Sequence, residues 1–297
     1  MAGHASQELK IRKLPIWKHE PIIAPLHGGL SNESFVVTDG AEKYVLRFGQ
    51  DFPFHHVSRQ RELMTALAAS AAGFAPDVVY AEPGIMVSRF IDGKTFTEAD
   101  VRNNTDEITR LIRRFHETMS TRVSGSGFMF WVFHVIRDYA RTLEAGHSRL
   151  IKELPRYLEL AAHFEAAQVP MPIVFGHHDL LPANFIHDGS RLWLIDFEYA
   201  GFGTAMFDLA GITSNAGFDQ LQTSEFITAY LGHKPGPDFL HSYSAMSCAS
   251  LLREAMWSMV SELHLNAPGV DYVAYTTENL ERFKHAFEAY QNTYGKI

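Results

Sequence analysis

The reading of this chain turns on HHDLLPAN, residues 177–184, and on LWLIDFEYAG, residues 192–201. An aspartate in a loop, an asparagine five positions on, and a second aspartate at the end of the next apolar run supply three hard oxygen ligands or bases. Mg²⁺ takes a few such oxygens together with substrate phosphates, rather than a histidine cage. Phosphoryl transfer asks for little more: a metal to neutralise charge, a carboxylate to orient the attacking hydroxyl, and a clamp on the donor phosphates. Taken singly, Asp179 and Asn184 read as turn formers, and His177 reads as a hydrogen-bonded structural histidine. His178 and the pair His55-His56 read as incidental. Only the joint occurrence points to chemistry.

The bulk numbers leave room for that chemistry. At 297 residues the chain can hold two packed units, and 46% hydrophobic with 20% charged residues describes an ordinary globular protein. A formal charge of −8 argues against nucleic acid and anionic membranes as partners and is compatible with a small cationic substrate. Cys248 is the single cysteine, so neither an internal disulfide nor a cysteine zinc site can form. The first residues lack a continuous apolar stretch of the secretory kind, and the densest apolar run, FMFWVF at 128–133, is too short for a membrane span. These features set the expectation of a cytoplasmic protein.

Around the two motifs the chain divides unevenly. ESFVVTD (33–39) and KYVLRFG (43–49) flank Gly40-Ala41-Glu42 and predict a hairpin. SRQRELMTALAAS (58–70) predicts a helix stopped near Gly73, and 77–91 predicts paired strands about Pro83-Gly84. From about residue 98 the pattern is mainly helical, with Ile108, Leu111, Ile112 and Phe115 on one face. VSGSGF (123–128) reads as a linker, followed by helices over 131–144 and 153–168. FIH and LWLIDF read as short strands joined at Asp188-Gly189, and 219–297 as helical with breaks near 234–238 and 266–269. The expectation is an α+β chain with a small β-rich lobe over 1–91 and a larger, mainly helical lobe over 92–297.

Several stretches together resemble one superfamily. HHDLLPAN matches the H-x-D-x-x-x-x-N catalytic loop, and IDFE the metal-binding element, of the aminoglycoside phosphotransferase and choline kinase superfamily. HGGLSNESFVV followed by KYVLRFG is similar to the phosphate loop and third strand of choline and ethanolamine kinases. RQREL and GFAPDVVYAEPGIMVSRFI resemble their helix C and hinge. IDFEYAGFGTAMFDLAG, AMWSMVSEL and DYVAY resemble their metal motif and substrate-pocket helices. The resemblance implies a two-lobed protein-kinase-like fold that uses ATP and Mg²⁺. It makes Asp179 the catalytic base and His177 a brace for the loop, with Asn184 and Asp196 holding the metal. Arg47 would contact the donor phosphates with Glu62 as its ion-pair partner, and the backbone of Gly28, Gly29, Leu30, Ser31 and Asn32 would cover them. Backbone atoms of Ser88, Arg89 and Phe90 would meet adenine. No Gly-Lys-Ser/Thr phosphate loop and no GxSxG elbow competes with this reading.

The acceptor implied is a small cationic alcohol, because aromatic faces with nearby carboxylates hold quaternary ammonium groups. Tyr199, Trp257, Tyr272 and Tyr275 resemble the cage residues, with Glu198 beside them. Asn215 stands where choline kinases usually have glutamate, and Glu254 where many members have a second tryptophan; Glu254 would then restore the missing charge. Choline, ethanolamine or a larger cation are the expected substrates. Thiamine kinase and aminoglycoside phosphotransferase remain open alternatives, as does a nucleotide-binding pseudokinase scaffold, and a homodimer is compatible with all of them.

Overall fold

The computed structural model describes residues 2–26, 33–265, 267 and 269–297. Helix α1 (Ala2–Arg12) precedes a sheet made of β1 (Ile22–Leu26), β2 (Glu33–Asp39), β3 (Glu42–Phe48), β4 (Val78–Glu82) and β5 (Ile85–Arg89). The five strands run in the order β1-β2-β3-β5-β4, every neighbour antiparallel. Asp39 pairs with Glu42, so the turn is Gly40-Ala41, one residue shorter than the sequence suggests. Gly40 takes φ +61° there, a conformation glycine adopts without penalty.

Alternation along the strands decides what each face does. Phe35, Val37, Leu46 and Val87 are buried and pack with Ile11 and Leu14 into a small core. With Leu46 committed to that face, Arg47 must emerge on the other, because successive strand residues point in opposite directions. There it meets α2 (Arg59–Ala71), whose Glu62 is buried.

The rest of the chain builds the larger core. It comprises α3 (Glu98–Asn103), α4 (Thr105–Met119), α5 (Val132–Ala145), α6 (Leu154–Ala166), α7 (Ala205–Asn215), α8 (Gln220–Leu231), α9 (Pro237–His264) and α10 (Tyr272–Tyr294). On α4, Ile108, Leu111, Ile112, Phe115 and Met119 form the buried stripe that helical spacing demands. The 28-residue α9 is instead buried on nearly every side and runs through the centre, against α5, α6, α7 and α10. Burial of each large apolar side chain along it contributes about 1.5–3 kcal/mol. Among the described residues no helix is long and apolar enough to cross a membrane.

Two small ladders frame the central loops. β7 (Ile173–Gly176) pairs with β10 (Gly201–Thr204), Gly176 opposite Gly201. β6 (Lys94–Thr95), β8 (Phe185–His187) and β9 (Leu192–Leu194) form the second, with Phe185 opposite Leu194. Residues 177–184 and 195–200 therefore span the same gap, one from each strand of both ladders. The strand expected over LWLIDF stops at Leu194. Ile195 N–H turns to Asn184 O (3.1 Å), and Asp196 adopts φ +68°, which no extended strand can accommodate.

Candidate active site

The pairing of both ladders places the two motifs side by side, and a buried carboxylate fixes one of them. Asp208, on the first turn of α7, accepts the backbone N–H of His177 (2.8 Å) and of His178 (2.7 Å). His116 of α4 donates Nε2–H to the same carboxylate at 2.8 Å and accepts from the Tyr230 hydroxyl at its other nitrogen. Burial raises the proton affinity of Asp208, but the hydrogen bond from His116 and the imidazoles around it prevail. Its carboxyl is held well below the usual range. Gly176 is required beneath this brace: a Cβ there would lie 2.5 Å from His178 Nε2 and 2.9 Å from Asp208 Oδ2.

His177 ties the two motifs together, donating Nε2–H to Ile195 O at 2.9 Å, and Phe197 packs beside its ring at 5.1 Å. His178 is no incidental residue: it is buried, takes φ +61°, and stacks on Phe130 at 4.3 Å. His55 is buried too, stacked on Trp257 at 4.9 Å, while His56 lies 3.0 Å from Asp138. Each of these three histidines has a packing role that the sequence reading passed over. The left-handed backbone at both His178 and Asp196 marks the two loops as locally strained.

Asp179 follows on the same loop, partly accessible from the cleft. Enclosure by protein and the nearby carboxylates Asp196 and Glu254 raise its proton affinity well above the ordinary value, against the pull of Arg253. Asn184 donates Nδ2–H to Asp179 O at 2.8 Å, which leaves its Oδ1 as a ligand oxygen. Asp196 Oδ1 accepts from Arg47 at 2.8 Å, which leaves Oδ2. Among the described residues no three His, Cys, Asp or Glu side chains form a closed metal cage. The oxygen pair of Asn184 and Asp196 is instead the open, hard site that suits a magnesium ion shared with phosphates.

Arg47 also forms an ion pair with Glu62, so one guanidinium joins β3, α2 and the second motif. Arg59 extends this network, reaching Glu62 at 2.6 Å and Glu198 at 3.1 Å. Glu198 is thus turned toward cations of the small lobe. The backbone N–H groups of Arg89 and Phe90 bond to Asp77 O (2.8 Å) and Lys43 O (3.0 Å), and Ser88 sits in the sheet between Val45 and Val78. Those donors are committed internally. Gly28, Gly29, Leu30, Ser31 and Asn32 lie outside the described residues.

On the far side of Asp179, α9 and α10 supply the other expected residues. Trp257 donates its indole N–H to the Tyr199 hydroxyl at 2.9 Å and meets the Tyr275 ring edge-on at 6.1 Å. Tyr275 donates to Glu254 Oε1 at 3.1 Å. Tyr272 is buried at the head of α10, hydrogen-bonded to the backbone at Ala267. Asn215 accepts from Arg282 at 3.2 Å and lines a cleft with Asp179, Ser250, Arg253 and Glu254. Tyr199 does not offer an open ring face on both sides, because the Arg253 guanidinium lies 4.5 Å from its centroid. Arg253, Asp208, His116 and Arg59 were all missed in the sequence. For Arg253 a signal existed: it and Glu254 are the only charges between Ser242 and Val260.

The family model described as "Phosphotransferase enzyme family" (APH) matches residues 22–243. The chain is 24% identical over 253 residues to Protein LicA of Haemophilus influenzae, covering 80% of this chain and 73% of that protein. It is 29% identical over 180 residues to a probable ethanolamine kinase of Arabidopsis thaliana, covering 55% of this chain but only 46% of the plant protein. A solved choline/ethanolamine kinase family protein from Mesorhizobium loti superposes with a TM-score of 0.75 at 25% identity, over 96% of this chain and 95% of that one. With the two-lobed protein-kinase-like architecture and the paired loops described above, the chain belongs to the phosphotransferase enzyme family.

Proposed function

We propose that the protein is an ATP- and Mg²⁺-dependent kinase that phosphorylates the hydroxyl of a small amino alcohol such as choline or ethanolamine. The observation that carries the reading is the position of Asp179 between two differently equipped walls. On one side stand Asn184, Asp196 and the Arg47–Glu62 pair. On the other stand Glu254, Tyr275, Trp257 and Tyr199. The curated names of the relatives, an ethanolamine kinase among them, support an alcohol as acceptor. The single, buried Cys248 suits a reducing compartment such as the cytoplasm.

In this reading Asp179 accepts a hydrogen bond from the substrate hydroxyl and aims its oxygen at the terminal phosphate. The raised proton affinity of Asp179 suits it to take that proton as the bond forms. Arg47, held by Glu62, presents its fork to the phosphate oxygens. Mg²⁺, when bound by Asn184 and Asp196, would neutralise the charge gathered on the transferring group. Asp208 and His177 hold the loop so that Asp179 needs no reorganisation.

The test is ADP release from Mg-ATP with choline, ethanolamine, thiamine and an aminoglycoside in parallel. Turnover of an amino alcohol is expected, and Asp179→Ala should lower kcat by about 10²–10⁴-fold while ATP still binds. Faster turnover of thiamine or the aminoglycoside would replace the acceptor assignment. ATP binding without turnover of any hydroxyl compound would refute the enzymatic reading in favour of a scaffold.

A further inference from the structure

Arg253 has no part in the mechanism above, yet it is the most completely buried cation in the cleft. Only 3% of the residue is exposed. Its Nη1–H donates to Glu254 Oε2 at 3.0 Å, and its guanidinium lies 4.5 Å from the Tyr199 ring centroid and 6.0 Å from that of Phe130. The buried hydroxyl of Tyr139 faces the guanidinium as a weak hydrogen-bonding neighbour, beyond the distance of a full hydrogen bond. Nε and Nη2 are both buried without a hydrogen-bond partner among the described residues.

Those two nitrogens share one edge of the guanidinium plane. Their parallel N–H bonds form the fork that matches the two oxygens of a carboxylate or phosphate. Buried donors are nearly always satisfied, and an orphaned pair on a cation is costly enough to need a reason. The cleft that Arg253 lines also contains Asp179, Asn215, Ser250 and Glu254. It shares no residue with the cavity lined by Arg47, Arg59 and Glu62 on the nucleotide side. An oxyanion reaching the Arg253 fork would therefore belong to the acceptor, not to the phosphate donor.

We propose that the acceptor is a hydroxy-amino acid: a small alcohol carrying both an ammonium group and a carboxylate. The Arg253 edge binds the carboxylate, and Glu254, a quarter of whose side chain is exposed, faces the ammonium. A bare quaternary ammonium leaves the fork unpaired and must share the pocket with a fixed positive charge that already covers one face of Tyr199. Arg253 is then the residue that separates substrates differing only by a carboxylate. This deepens the amino-alcohol kinase reading and rests on it.

Matched pairs test it: ethanolamine against serine, which adds a carboxylate beside the ammonium, and choline against carnitine, which adds a carboxymethyl group at the carbinol carbon. With Mg-ATP saturating, the carboxylated member of at least one pair should have a kcat/KM about tenfold or more higher, as one charge-assisted fork contact implies. Arg253→Lys keeps the charge but loses the fork. It should erase most of that preference through the acceptor KM, leaving the KM for ATP alone. The wild-type comparison decides even if the variant does not fold. Preference for ethanolamine and choline, or equal turnover within both pairs, overturns the inference while sparing the amino-alcohol reading. No turnover of any of the four, with ATP bound, sinks that reading and this inference with it.

Discussion

Replacing Asp208 by Asn tests whether one carboxylate holds the loop of residues 177–184. The exchange keeps size and shape but turns one acceptor oxygen into a donor. Oδ1 now accepts His178 N–H, and Oδ2 accepts both His177 N–H and His116 Nε2–H. Whichever way the amide is turned, at least one buried N–H faces another donor. An orphaned buried donor costs about 1–3 kcal/mol, and each surviving bond loses its charge assistance, about 1 kcal/mol apiece. The sum is about 3–5 kcal/mol, a large share of the 5–15 kcal/mol that holds a typical domain. Urea unfolding at pH 7 should record that loss, and kcat at a temperature where both proteins are folded should fall at least about tenfold, as expected when a positioned base is misplaced. The pH dependence sets a second condition. Because the folded-state affinity of Asp208 for protons is depressed, its stabilisation is complete above about pH 4 and is lost as pH falls through the folded value. The difference between wild type and Asp208→Asn should shrink in strong acid, as Asp208 itself takes up a proton. A loss under about 0.5 kcal/mol at pH 7 would refute the bracing role.

Other perturbations should separate neighbouring contributions. Burial holds His55 down to about 3 and His178 down to about 4, so both bind protons better once unfolded. Stability should be full above about pH 6.5 and decline below it, by about 2 kcal/mol per histidine at pH 5; unchanged unfolding free energy from pH 7 to 5 would show that they are not buried neutral. Tyr199→Phe keeps the ring under Arg253 but strands the Trp257 indole N–H, at about 1–3 kcal/mol by denaturant unfolding. A neutral result would mean that the indole finds another acceptor. Gly176→Ala forces a methyl against His178 and Asp208 and should cost about 1–3 kcal/mol together with kcat, read in the same unfolding and turnover assays. Wild-type stability in that variant would show that the loop has slack.

What could be read from the sequence was what the chain writes locally. The β2–β3 hairpin alternates apolar and polar residues about a Gly-Ala turn, and α4 repeats its apolar stripe at helical spacing. Asp179, Asn184 and Asp196 stand within one short segment, so their association needs no knowledge of packing. β10 was not legible because GFGT looks like a turn; its glycines are there because Phe128 and Phe130 carbonyls approach within 2.8 Å of where a Cβ would be. α7 escaped notice because it is buried on all sides and has no polar face to set a period. Asp208 and Arg253 act across 30 and more positions of chain, through contacts that only the folded core creates.

The two ladders that frame residues 177–184 and 195–200 also act as a ruler. Both loops are struts cut to one gap, so adding or removing a residue in either would throw the oxygens of Asn184 and Asp196 out of alignment together. The helices α9 and α10 stand outside that frame and carry Arg253, Glu254, Trp257 and Tyr275 on turns that can be rewritten one side chain at a time. The length-locked part holds the groups assigned to the transfer step, and the rewritable part holds the groups assigned to choosing the acceptor. Acceptor range can therefore drift, in evolution or by design, without any change in the spacing of the transfer machinery.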